Sequence, residues 1–415
     1  MMIRLAWASL LRRRVTLVLT VLSIGLSVAL FLGVEKLRTG AKASFSDTIS
    51  GTDLIVGARS GGVQLLLYSV FRVGNATNNI SWQSYQEIAE RGEIDWIVPL
   101  SLGDSHRGFR VLGTEQSFFD RYKYRRGQAL GFAEGQQFED LFDAVIGADV
   151  ADQLAYELGQ EIVVAHGIAS FTEHDDKPFR VSGILEKTGT PVDRTVLVSL
   201  GAIEAIHVDW QGGGKSAETV SAEDVRQMDL TPKAITAAMI GVKSRLQIFG
   251  LQRWINEYRD EPLLAILPGV ALAELWGLIG VAETALLAVS VMVIATALIG
   301  MMATIFSGLN ERRREMAILR ATGARPHTIL ALLMTEAALM SICAVGVGVL
   351  LLYSGLSVAQ GWLDRSYGIF LEITAPSERE LMILALVILL GTLVSIAPAL
   401  RAYSLALSDG MQIRN

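Results

Sequence analysis

The chain has 415 residues, of which 51% are hydrophobic and only 19% charged, with a mean hydropathy of +0.41. Soluble domains carry about 25% charged residues, so an apolar excess gathered into a few long blocks excludes an ordinary water-soluble core and reads as a membrane protein. The 36 basic and 42 acidic residues nearly balance, which excludes a nucleic-acid footprint, and the single cysteine, Cys343, excludes an intrachain disulfide, a cysteine-based zinc knuckle and a CxxC pair.

Residues 15–34 contain no charge, and about 20 helical residues cross a bilayer core of about 30 Å. The run exceeds a usual signal h-region and passes into Glu35-Lys36 without a small-x-small cleavage site, so it reads as an uncleaved anchor. Residues 1–37 then hold an amphipathic segment and the first membrane helix.

Residues 38–275 change character to short β-rich runs alternating with helical ones, which predicts a large α+β domain inserted between the first two membrane helices. Strands are predicted near residues 53–56, 96–100, 109–112, 144–146, 162–164, 179–185, 195–200, 235–242 and 263–267, with helices at 149–158 and 244–258. Two compact lobes are expected. A further helix starting near Val270 is expected to run on into the second span.

Two stretches of this domain invite a chemical reading. Asp209-Trp-Gln-Gly-Gly-Gly-Lys-Ser216 resembles a phosphate-binding loop but has Asp209 where the first glycine belongs, so no nucleotide is expected there. His106, His166, His174 and His207 lie in the same domain, two of them beside carboxylates in Glu173-His174-Asp175-Asp176 and His207-Val208-Asp209. Histidine with carboxylate suits Zn²⁺, yet no HExxH or paired-histidine helical spacing occurs. Solvated or hydrogen-bonded histidines are the plainer reading, and no metal is assigned. The sequons at Asn75 and Asn79 carry no weight, and no GxSxG or other catalytic spacing is present.

Three apolar blocks follow. The second span is predicted within 276–309, the third within 328–363 with an interruption at Glu336, and the fourth within 381–402, leaving a short loop at 364–380 and a tail at 403–415. Arg4, Arg12, Arg13 and Arg14 precede the first span, and Arg312, Arg313, Arg314, Arg320 and Arg325 separate the second and third. By the positive-inside rule both flanks are cytoplasmic, so both termini face the cytoplasm and 38–275 lies outside. Gly25, Gly300, Gly346, Gly348 and Gly391 are candidates for close helix contact.

Between the second and third spans, residues 310–327 read as a short amphipathic helix, with Asn310 as N-cap, Glu311 in the first turn, Met316, Leu319 and Arg320 at helical spacing, and Gly323 and Pro326 as a stop. Its phrase Glu311-Arg-Arg-Arg-Glu-Met-Ala-Ile-Leu-Arg-Ala-Thr-Gly-Ala324, followed by Glu336-Ala-Ala, resembles the coupling-helix signature of MacB/FtsX/LolC-type (type VII) ABC transporter permeases. The N-terminal Leu5-Ala-Trp-Ala-Ser-Leu-Leu-Arg-Arg-Arg14 and the late Ala397-Pro-Ala-Leu-Arg-Ala402 are similar to that family's segments. So are Gly147-Ala-Asp-Val-Ala-Asp-Gln-Leu-Ala155 and Val181-Ser-Gly-Ile-Leu-Glu-Lys-Thr-Gly-Thr-Pro-Val-Asp-Arg194.

The resemblance implies a four-helix permease with a MacB-like periplasmic domain in the bacterial inner membrane. It would work as a homodimer or paralogous heterodimer on a separate ABC ATPase, which holds ATP and Mg²⁺, with a possible periplasmic or outer-membrane accessory protein. The permease itself would hydrolyse nothing and hold no cofactor. Residues Glu311, Glu315, Met316, Ile318, Leu319, Arg320, Gly323 and Arg325 would engage the ATPase, and movement of the outer domain would export or extract an envelope-associated cargo by mechanotransmission. Two alternatives stay open, an FtsX-like signalling protein and the permease of an envelope metal-homeostasis system.

Overall fold

In a computed structural model, described for residues 2–125, 127–167, 176–211, 214–215, 220–311, 318, 324–367 and 373–401, the chain divides into two compact units. One holds residues 41–279 with 363–370, the other residues 1–40, 280–362 and 371–415.

The first unit is built on one ten-stranded sheet. In chain order its strands are β1 (Leu54–Ala58), β2 (Ile94–His106), β3 (Phe109–Thr114), β4 (Phe132–Gly135), β5 (Asp143–Ile146), β6 (Glu161–Ile162), β7 (Phe179–Leu185), β8 (Thr195–Ser199), β9 (Ala237–Val242) and β10 (Leu263–Ile266). They lie side by side as β10-β1-β9-β2-β3-β8-β5-β7-β4, with β6 paired to β7. The predicted strand positions agree with the observed ones to within a few residues. The exception is β4, whose Phe-Ala-Glu-Gly sequence is mostly exposed and lacks the apolar alternation that marks a half-buried strand. Helices Gly62–Ser69 and Trp82–Ala89 were also not anticipated.

The expectation of two lobes is half met, for a physical reason. Ile55, Val98, Leu100, Leu112, Val145 and Leu197 alternate onto one face of the sheet and join a single core. On the other face the core splits in two, one part around Val111, Ala144, Ile146 and Val196 and the other around Leu54, Val56, Ala238 and Ile240. The 13-residue β2 joins the halves, pairing with β9 through residues 94–100 and with β3 through residues 101–106. A bulge at Gly103-Asp104 shifts its register between Leu102 and Ser105.

Among the described residues four helices are long and apolar enough to cross a membrane, and most of their length belongs to the second unit. They are Arg14–Asp47, Pro268–Glu311, Pro326–Tyr367 and Glu378–Val394, the first preceded by a short helix Met2–Arg12. Ile24, Val28, Met301, Ala337, Ala344 and Val387 are among the residues that close their shared core. A capping box starts the fourth helix, the Ser377 hydroxyl accepting from the Glu380 N–H and the Glu380 carboxylate accepting from the Ser377 N–H.

Candidate functional site

Small residues set how closely the apolar helices approach. A Cβ on Gly25 would lie 3.1 Å from the Ala344 carbonyl oxygen, and one on Gly348 2.7 Å from the Gly25 carbonyl oxygen, so the first and third helices touch backbone to backbone there. Gly391 plays the same part against Ser341. A Cβ on Gly300 or Gly346 would meet nothing within 4 Å, so these two of the five candidate glycines leave open space beside them among the described residues. Gly300 instead lines an apolar groove of about 620 Å³ between the first and second helices, together with Thr20, Ser23, Ser27, Thr296 and Thr304. Glu336 is buried within the bundle, 3% exposed, and does not snorkel out.

One end of the bundle is tied by charge. Glu35, buried at the end of the first apolar run, pairs with Arg38 at 2.8 Å and with Arg379 at 3.4 Å. Arg38 also reaches Glu283 of the second helix, and Lys36 reaches Glu380 of the fourth, both at 3.4 Å. Toward the other end Arg13 donates to the Gly308 carbonyl at 3.2 Å. Apart from the i,i+3 pair of Glu35 and Arg38, these ties join residues from distant segments and leave no local pattern in the sequence.

Of the proposed ATPase-contacting residues, Glu311 ends the second apolar helix, Ile318 is helical and 57% exposed, and Arg325 is exposed just before the third, its carbonyl accepting from Thr328. Glu315, Met316, Leu319, Arg320 and Gly323 lie outside the described residues.

Among the histidines of the α+β domain the structure separates two kinds. His106 is buried with both ring nitrogens engaged, Nδ1 with the Val163 carbonyl at 2.6 Å and Nε2 with the Tyr156 hydroxyl at 2.9 Å, a structural arrangement. His174 lies outside the described residues. His166 and His207, which are 41 positions apart, come together on Asp104: His166 Nδ1 is 2.9 Å from His207 Nε2, and the two are 3.4 and 3.5 Å from Asp104 Oδ1. The carboxylate was not among the sequence candidates.

Local structure explains the convergence. The bulge breaks the in-out alternation of β2, so Asp104, Ser105 and His106 are all buried. Ser105 and Ala165 exchange both backbone hydrogen bonds, at 3.0 and 2.8 Å. The next pair along, Asp104 and His166, is therefore of the closer, non-hydrogen-bonded kind. His207 ends the helix Leu200–His207, which Ser199 caps by accepting from the Ala202 N–H. Its Nδ1 lies 2.7 Å from the Ile203 carbonyl, which fixes that nitrogen as the N–H donor and turns Nε2 toward Asp104. Burial pushes the Asp104 carboxyl up, but the two imidazoles outweigh it and hold it down at about 2. Burial lowers the His207 imidazole and Asp104 raises it by more, for a net upward shift.

Asp209, at the head of the phosphate-loop look-alike, is taken up in a buried ion pair with Lys177 at 2.6 Å and accepts from the Val220 N–H. Trp210–Gln211 and Gly214–Lys215 pair as a small hairpin. The carboxylate at this position is part of the domain's internal packing.

Two family descriptions match the chain: the MacB-like periplasmic core domain over residues 17–238 and the FtsX-like permease C-terminal domain over residues 287–407. Two curated relatives, both named pyoverdine export ATP-binding/permease protein PvdT, come from Pseudomonas fluorescens strains Pf-5 and Pf0-1. They are 25% identical over 257 and 261 residues, covering 60% and 59% of this chain but 36% and 35% of their own. The chain thus spans about a third of the length of these relatives. Among solved structures, the periplasmic region of MacB from Actinobacillus actinomycetemcomitans aligns at 11% identity and a TM-score of 0.35, over 55% of this chain and 94% of that one. The extracellular domain of the noncanonic ABC-type transporter YknZ from Gram-positive bacteria aligns at 12% and 0.31, over 52% and 99%. A large α+β domain and four apolar helices define a membrane protein with a substantial part outside the bilayer, which fits an inner-membrane location. The chain belongs to the MacB/FtsX-type family of ABC transporter permeases.

Proposed function

We propose that this permease works with a separate ABC ATPase and moves an envelope-associated cargo by mechanotransmission, the α+β domain lying outside the membrane and residues 310–327 docking on the ATPase. The observation that carries this reading is the build of the helices. The first and second run unbroken for 34 and 44 residues, well beyond the about 20 needed to cross a bilayer, and Arg38, held by Glu35 of its own helix, ties the first to Glu283 of the second. Long helices locked side by side carry a push along their axes. The basic flanks at Arg12–Arg14 and Arg312–Arg314 support cytoplasmic placement of both termini and of the 310–327 segment.

A second permease chain, identical or paralogous, would seat on the groove that holds Gly300, where small and hydroxyl-bearing residues (Thr20, Ser23, Ser27, Thr296, Gly300, Thr304) are interspersed with Leu19, Val289, Met292, Val293 and Met301. The relatives' names join pyoverdine export with ATP binding and permeation. They favour export of a small or envelope-derived molecule as the cargo class here.

Tagged purification from the native host in mild detergent, with mass spectrometry of what accompanies the chain, tests the reading. An ABC ATPase in amounts equal to the permease is the expected result. A reproducible absence of any ATPase, with a cell-wall hydrolase or sensor in its place, would overturn it in favour of the signalling alternative.

A further inference from the structure

We propose that Asp104, His166 and His207 form a binding site for a divalent transition-metal cation of the zinc class, an inference that does not depend on the transport reading. Three donor atoms, His166 Nδ1, His207 Nε2 and Asp104 Oδ1, lie 2.9, 3.4 and 3.5 Å apart, and all three fall within one potential ligand cluster. A tetrahedral centre with bonds of about 2.0–2.2 Å sets its donors about 3.3–3.5 Å apart. The triangle therefore matches one face of such a tetrahedron, with only the nitrogen–nitrogen edge a few tenths of an ångström short.

The donor set selects the cation. Two imidazoles and one carboxylate suit Zn²⁺ and its neighbours, whereas Ca²⁺ and Mg²⁺ take oxygen shells. The buried oxygen is the independent sign. Asp104 is 3% exposed, and among the described residues its Oδ1 accepts no hydrogen bond within standard geometry although it faces both rings. Burying that oxygen carries a desolvation cost, which the two facing rings offset and which a cation shared with them would offset as well.

Each ligand is also held in place before any cation arrives. The bulge aims Asp104, the Ser105–Ala165 bridge carries His166 beside it, and the Ile203 carbonyl takes the Nδ1–H of His207, which turns Nε2 toward His166 and Asp104. This is the supporting hydrogen bond that metal-bound histidines usually make. The described residues supply three ligands, which leaves the fourth vertex to water or another donor. The His166 side chain, 50% exposed, puts that vertex within reach of solvent.

The test uses the full chain in detergent, without a histidine tag, titrated with Co²⁺ and then with Zn²⁺ in competition. One Co²⁺ per chain is expected, with the visible absorption of four-coordinate cobalt, displaced by Zn²⁺. Both Asp104→Asn and His166→Ala should abolish that absorption and weaken Zn²⁺ binding by no less than the roughly 10–100-fold that loss of a mere supporting partner costs in known sites. His166 is half exposed, so its replacement leaves the fold standing, and an unchanged melting temperature of the metal-free protein checks this. Zn²⁺ should raise the melting temperature of the unaltered chain but not that of either variant. Absence of cobalt absorption in the unaltered chain, or binding that both variants retain, overturns the site.

Discussion

The carboxylate of Asp193 accepts from the Thr188 N–H at 2.8 Å, the Thr188 hydroxyl at 2.7 Å and the Gly189 N–H at 2.7 Å while only 1% exposed. Asp193→Ala strands two buried backbone donors, each costing about 1–3 kcal/mol, so a loss of about 3 kcal/mol is expected, read as a lowered thermal midpoint of the detergent-solubilised chain. Asp193→Asn keeps one acceptor oxygen and should recover part of it. This turn belongs to one of the two phrases in the α+β domain that carry the family resemblance, and the other packs directly on it. A Cβ at Gly147 would stand 2.2 Å from the Val192 carbonyl oxygen, and Lys187 pairs with Asp149. Those phrases were legible because each is contiguous and its geometry tolerates few residues. The cluster of Asp104, His166 and His207 was not, because its members come from a bulged strand, a bridge and a helix end. The histidines could be named from the sequence, but the residue that gathers them could not.

Among elements, the apolar helices show what a sequence pattern leaves undecided. Gly346 and Gly348 are equally plausible contact residues by type, yet two residues turn a helix by about 200°, so only one can face a given neighbour. Gly348 does, its missing Cβ making room for the Gly25 carbonyl, while Gly346 meets nothing within 4 Å. Gly348→Leu should therefore force the first and third helices apart, at about 1–3 kcal/mol for overpacking. Gly346→Leu should stay within about 0.5 kcal/mol of the unaltered chain. Thermal unfolding of the two variants side by side is the check, and equal effects would show that the contact is not close. The same limit governs the 310–327 segment, where residue types suggest an amphipathic helix without identifying its partner. On the proposed function, Glu315→Arg with Leu319→Asp reverses one charge and removes one apolar contact at the ATPase interface. Co-purification of the ATPase should then fall to background while the permease still reaches the membrane, and retained association would remove the docking assignment.

For the whole molecule, the four apolar blocks and the α+β stretch between the first two were readable from composition alone, since about 20 uncharged residues and a period-2 alternation are both local signals. The charge ties that would make a bundle into a lever were not readable, because Glu35, Arg38, Glu283, Arg379 and Glu380 draw on three separate helices and their flanks. Glu35 is 5% exposed and balanced by two arginines, and breaking such a pair on one side leaves a charge uncompensated, which is costly, whereas neutralising both sides together costs far less. Glu35→Gln with Arg38→Gln is therefore the informative double variant, since it removes the tie to Glu283 without leaving a lone buried carboxylate at position 35. In the assembled complex, adding a non-hydrolysable ATP analogue should change amide hydrogen exchange across residues 41–279 of the unaltered permease. The double variant should bind the ATPase equally well and lose that nucleotide-dependent change. If the exchange response survives with the tie removed, force reaches the α+β domain by another route, and the side-by-side locking of the first two helices serves packing alone.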